Sequence, residues 1–160
     1  MIKALAILSF LLIVTPAHIF SQSVKNDDYS FRIQKGTRVR RGSNNIWTIP
    51  ATLTNLSKDT LKYFSAVCAW PEFYFVDNEK IAMLKPVCEQ YSKLVLKLAP
   101  GRSTTSNISL LVTPTFDTSF LTFKIGFNLI RANKPISQFN LKEVLIEENL
   151  TWSNAIKIQN

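Results

Sequence analysis

Leu121, Phe123, Ile125, Phe127 and Leu129 occupy every second position of one stretch, with Thr122, Lys124 and Asn128 between them. A period of two matches the pleat of an extended chain, whose side chains point alternately to opposite faces. A helix of about 3.6 residues per turn would scatter the same five around its axis. The alternation recurs upstream. Tyr29, Phe31 and Ile33 alternate with polar residues, and Trp47, Ile49, Ala51 and Leu53 face away from Thr48, Thr52 and Thr54. Such strands put one side on a core and the other toward water. Pro50 has no amide hydrogen, which places its strand at a sheet edge or at a bulge.

Other segments fill in the pattern. Leu61 to Trp70 is apolar on both faces and reads as a central strand, with Cys68 and Trp70 on one side of it. Phe73 to Val76 and Ile81 to Leu84 flank Asp77-Asn78-Glu79-Lys80, which predicts a hairpin. Asn55 to Asp59 reads as a turn, because Asn, Ser and Asp side chains bond nearby backbone. Leu94, Leu96 and Leu98 lead into Ala99-Pro100-Gly101-Arg102, with proline and glycine at the central places of a type II turn. Ser106 to Val112 is a further strand, and Ile156 with Ile158 a last one. Leu141, Val144 and Leu145 have helical spacing and predict a short C-terminal helix. The fold class expected is all-β: an antiparallel immunoglobulin-like β-sandwich of about seven to nine strands. A small barrel is the rival. The sandwich should form one domain over residues 29–160, after a polar segment at 22–28.

Residues 1–21 read as a cleavable signal peptide. Lys3 supplies the positive start, Ala4 to Val14 is an apolar run too short to span a membrane, and Thr15-Pro16 ends the helix. Cleavage after Ser21 or after Ser23 both have small residues at the cut. The mature chain is then secreted or periplasmic, with no transmembrane segment and no lipid-anchored cysteine at the cut. Export changes the chemistry downstream. It removes His18, the single histidine, and it makes a disulfide between Cys68 and Cys88, the two cysteines, the favoured state.

Without histidine the mature chain lacks the base of a Ser-His-Asp or Cys-His arrangement and the usual zinc ligand, so no catalytic residue, metal or cofactor is expected. Asp27, Asp28, Glu72, Asp77, Asp117, Glu147 and Glu148 lie in predicted loops or polar ends and read as surface charge. Four glycines leave no phosphate-cradling loop. Two clusters remain. Lys35, Arg38, Arg40 and Arg41 form the most basic stretch of a chain of formal net charge +8, with Arg38 and Arg40 on one face. Their guanidinium forks suit anionic groups, a surface polysaccharide ahead of nucleic acid, while the plain alternative is a solvated hairpin. Trp70, Phe73 and Tyr74 belong to an aromatic run that either packs the core or offers a platform to a sugar or peptide. Three acceptor-type triplets begin at Asn55, Asn107 and Asn149, but the leader and composition look bacterial and no glycans are expected.

The strand ending in Leu53-Thr54-Asn55-Leu56-Ser57-Lys58-Asp59, the aromatic-rich Phe73-Tyr74-Phe75-Val76-Asp77-Asn78, and Leu96-Lys97-Leu98-Ala99-Pro100-Gly101 before a strand carry a resemblance. Residues 47–112 resemble bacterial immunoglobulin-like modules, in particular the intracellular proteinase inhibitor (BsuPI-like) domain family. The departures are the export signal and the cysteine pair, and small exported bacterial proteins of this layout are the nearer likeness. The resemblance implies a sandwich and admits a protease inhibitor. The residues themselves favour an exported, non-enzymatic binding module contacting a protein or anionic glycan of the envelope, with a polysaccharide-binding accessory domain as a further alternative.

Overall fold

A computed structural model describes residues 28–42, 44–87, 91–112, 120–140, 142 and 150–158. Twelve strands lie among them: β1 (Tyr29–Ile33), β2 (Thr37–Arg41), β3 (Asn44–Asn55), β4 (Leu61–Ala66), β5 (Tyr74–Val76), β6 (Ile81–Met83), β7 (Lys93–Leu98), β8 (Ser103–Val112), β9 (Leu121–Phe123), β10 (Ile125–Asn128), β11 (Leu150–Trp152) and β12 (Ile156–Ile158). Every pairing is antiparallel. The predicted alternation is visible along β3, where Asn45, Trp47, Ile49, Ala51, Leu53 and Asn55 are buried and the residues between are not. Ile49 meets Ile108 across the β3–β8 pair, both fully buried. Burying each such side chain stabilises the fold by about 1.5–3 kcal/mol relative to leaving it in water.

The first layer runs β1–β3–β8–β6, with β2 on the same edge of β3 as β1. Pro50 predicts an edge strand or a bulge; β3 is instead central, and its pairing with β8 runs unbroken through Pro50. The partner on its other side breaks. β1 pairs as far as Ile33↔Ala51 and β2 begins at Thr37↔Thr48, so Pro50 faces the link between them. The carbonyl of Pro50 accepts the Gln34 N–H at 3.0 Å. Its missing donor therefore points at a gap in the neighbour, where nothing waits for it. Gly36 lies in that link, and a Cβ there would overlap the Thr48 carbonyl and the Ile49 side chain.

The second layer is assembled from strands laid end to end. β10 lies between β5 and β11, while β9 pairs β12. β4 pairs β7 on one side and meets the continuation of β10 on the other: Phe64 N–H bonds Ile130 O at 2.9 Å and Ala132 N–H bonds Lys62 O at 2.9 Å. The layer therefore reads β7, then β4 with β5, then β9 with β10, then β11 with β12. The first layer has the immunoglobulin order of first, second, fifth and fourth strands, and the second has third, sixth and seventh. β7 is an addition on the free side of β4. Between the layers Tyr74 and Phe127 stack with centroids 4.8 Å apart, and Phe31 meets both at a tilt. On the outer side of β4, Phe64 stacks on Phe139 at 4.3 Å.

Local readings of the sequence are corrected in three places. The strand from Leu61 stops at Ala66; residues 67–69 turn and Trp70–Phe73 forms a 3-10 helix, with Pro71 in its first turn, where a missing N–H is tolerated. Residues 77–80 do not close a hairpin, because β5 pairs β10 in one layer while β6 pairs β8 in the other. The strand count rises above nine because β2 and β11 are added and Leu121–Leu129 divides into two. The turn at Ala99–Arg102 forms as predicted, with Gly101 at φ +66° and Arg102 N–H to Ala99 O at 3.1 Å. So does the turn after β3: the fully buried Asn55 accepts the Ser57 N–H at 3.0 Å and donates to Asp59 O and Leu98 O, each at 2.8 Å. The predicted signal peptide, both cleavage positions, His18, Cys88 and the helix at Leu141, Val144 and Leu145 lie outside the described residues.

Candidate functional site

The basic stretch folds into the β2–β3 hairpin. Arg38 registers with Trp47 and Arg40 with Asn45, so the two arginines share a face, as the alternation predicts. Arg41 registers with Asn44 and turns to the other face beside Val39 and Ile46, and Lys35 sits in the link before β2. The four are all exposed but are not one cluster. Arg38 donates Nε and Nη2 to Asn45 Oδ1 at 3.1 and 2.8 Å, which fixes its fork. Arg40 Nε reaches Gly42 O at 3.3 Å.

The aromatic run folds around the end of β4. Phe73 is core, only 2% exposed, packed against Phe139 and set at the base of the cleft that its neighbours line. Trp70 and Tyr74 are half-buried and meet edge to face at 5.7 Å. Both line a cleft of about 510 Å³ that opens between the layers. Its walls include Leu53 from β3, Tyr63 from β4, Leu94 and Leu96 from β7, and Thr104 and Ser106 from β8. Leu94 and Leu96 register with Ser65 and Tyr63, which places them on the inner face of layer two. Yet they remain 38% and 39% exposed. The reason is in layer one: β6 covers β8 only at Leu110, Leu111 and Val112, so opposite these leucines the layer lacks a strand.

The polar groups of the cleft are neutral. Burial pushes the Tyr74 phenol well above the usual tyrosine range, with a hydrogen bond to the Ser106 side chain pulling slightly the other way. Tyr63 is raised for the same reason, burial. Both stay protonated at ordinary pH and can donate. Three carboxylates elsewhere are engaged in the fold: Glu72 pairs with Lys85 at 2.6 Å, Asp28 pairs with Arg131, and Asp77 Oδ1 accepts the Lys124 N–H at 2.7 Å. Asp27, Asp117, Glu147 and Glu148 lie outside the described residues. Among the described residues no group of three His, Cys, Asp or Glu could hold a metal, and no helix is long and apolar enough to cross a membrane. No cysteine is free there either; Cys68 sits in the turn after β4, next to Val67 of the cleft wall.

Of the other tryptophans, Trp47 is buried with its Nε1 unpartnered, and Trp152 is 38% exposed with its ring over Gly126. Sequence reasoning found Trp70 and Tyr74 but passed over Leu94 and Leu96, which read as an ordinary strand before a turn. Pro86, two residues past Leu84, was the available signal that β6 would end early.

No protein-family model matches the chain, and no curated protein matches it. Among solved structures, a FixG-related protein from Vibrio parahaemolyticus is similar over 84% of this chain and 97% of its own, at 10% identity and a TM-score of 0.43.

Proposed function

We propose that the chain is an exported, non-enzymatic binding module of the cell envelope or extracellular space, and that the interlayer cleft is its ligand seat. The observation that carries this reading is the pair of inward-facing leucines, Leu94 and Leu96, left open beside Trp70 and Tyr74. Concave apolar surface with a few neutral donors is the usual make-up of a binding site. Exposed apolar patches on a small domain mark interaction surfaces. Export fits a Cys68–Cys88 disulfide, which would tie the segment between β6 and β7 to the end of β4 and hold that side of the cleft. Mass spectrometry with and without reductant tests the bond; two alkylatable thiols in exported protein would refute it.

Affinity capture from the native envelope and medium tests the seat, using the protein alongside Leu96→Asp and the double variant Arg38→Ala/Arg40→Ala. A partner lost with Leu96→Asp and kept by the arginine variant supports the cleft. A partner indifferent to Leu96→Asp overturns it. The exposed, co-facial Arg38 and Arg40 favour one other reading, an anionic-polysaccharide accessory module. That reading requires salt-sensitive retention on a sulfated polysaccharide column, lost in the arginine variant.

A further inference from the structure

The cleft has a wall that hydrogen-bonds as well as one that packs. β8 is ten residues long, and β3 pairs it from Ser103 to Val112. On its other edge β6 pairs only Leu110 to Val112, followed by one bond from Leu84 N–H to Ser109 O at 2.8 Å. Backbone groups of one strand residue point to a single edge, and successive residues alternate. Ser109 faces β6, so Asn107, Thr105 and Ser103 face the same way. Arg102 faces β3, its carbonyl accepting the Asn55 N–H at 3.0 Å. Among the described residues no strand pairs Ser103–Ile108 on the β6 side.

The sequence explains why pairing stops there. Continuing the register, residue 86 would donate its N–H to the Asn107 carbonyl. Residue 86 is Pro86, which has no N–H, and β6 leaves the sheet. Strands that stay unpaired are commonly defended by charge. Ser103, Thr104, Thr105, Ser106, Asn107 and Ile108 carry none.

Resting on the reading of the cleft as the ligand seat, we infer that β8 receives an extended peptide strand from a partner, which completes layer one. About six residues, roughly 20 Å, match the open edge. Alternate side chains of that strand turn inward onto Leu94, Leu96, Tyr63 and Tyr74 and are apolar. Those between them face solvent and are acidic, to suit a chain of formal net charge +8 with the exposed Arg102 just before β8. Main-chain bonds supply affinity and the inward side chains supply selection.

The probe is an end-capped synthetic peptide of about ten residues, in which valine alternates with glutamate and threonine. It is titrated by fluorescence anisotropy into the protein in its exported form, and amide hydrogen exchange is followed residue by residue. Saturable binding with slowed exchange at Ser103, Thr105 and Asn107 is expected. Methylating the peptide nitrogens that face β8 should weaken binding by about tenfold or more, and replacing its glutamates by lysine should weaken it further. Binding without protection of those three amides, or unaffected by methylation, overturns strand pairing but leaves the cleft as a seat. Binding unaffected by Leu96→Asp overturns the cleft reading itself. Protection at these amides without peptide, rising with protein concentration, would assign the edge to a second copy and overturn the partner. No binding at millimolar peptide also overturns it.

Discussion

Layer one has two edges, and they are managed in opposite ways. On the β1/β2 edge the strand nearest solvent carries Arg38, Arg40 and Arg41, all exposed, and its bend at residues 34–36 meets Pro50 where no donor is needed. On the β6/β8 edge the outer half of β8 carries only neutral residues beside an uncovered apolar floor. Charge on an outer strand discourages another strand from pairing with it. The contrast gives the arginines a role that needs no ligand. It also marks the neutral edge, the less conspicuous in the sequence, as the one built to be joined.

The largest effect expected in testing this contrast falls on the closed edge. Gly36→Ala forces a Cβ onto the Thr48 carbonyl and should cost about 3 kcal/mol in urea unfolding. A variant of unchanged midpoint would mean that the β1–β2 link yields freely. Next is the cleft wall. Tyr74→Phe removes the bond to Ser106 and should cost about 1 kcal/mol.

The same residue sets a pH dependence. Its folded phenol titrates higher than the unfolded one, so above about pH 10 the unfolded chain releases a proton that the folded chain keeps. Stability contributed by the neutral phenol is therefore full below that pH and declines above it. Unfolding midpoints measured from pH 8 to 11 should fall at the alkaline end, and less steeply in Tyr74→Phe. The smallest stability effect is expected for Arg38→Ala/Arg40→Ala, within about 0.5 kcal/mol of the parent. Light scattering should nonetheless show that variant self-associating more readily, since its edge has lost its charge. Equal scattering would detach the arginines from edge defence.

Much of this was legible locally. Asn55 announces its turn because an Asn side chain satisfies backbone two residues on, whatever the rest of the chain does. Trp70 and Tyr74 were picked out by composition, yet Phe73 between them proved to be core, because the 3-10 helix Trp70–Phe73 packs it at the base of the cleft against Phe139. The leucines of β7 could not be recognised, since nothing in Lys93–Leu98 records that the opposite strand is short.

The sequence by itself determined which segments are extended, which residues of each face inward, and where glycine and proline turn the chain. These follow from side-chain period and from backbone sterics, both local. Only the tertiary structure decided which strands are neighbours. Alternation specifies a face and leaves the partner on either edge open, so Pro50 could sit in a central strand and Ile81–Met83 could desert β5 for β8. The open cleft belongs to the second kind of fact. It arises because one proline shortens one strand, and its consequence appears on leucines in the other layer.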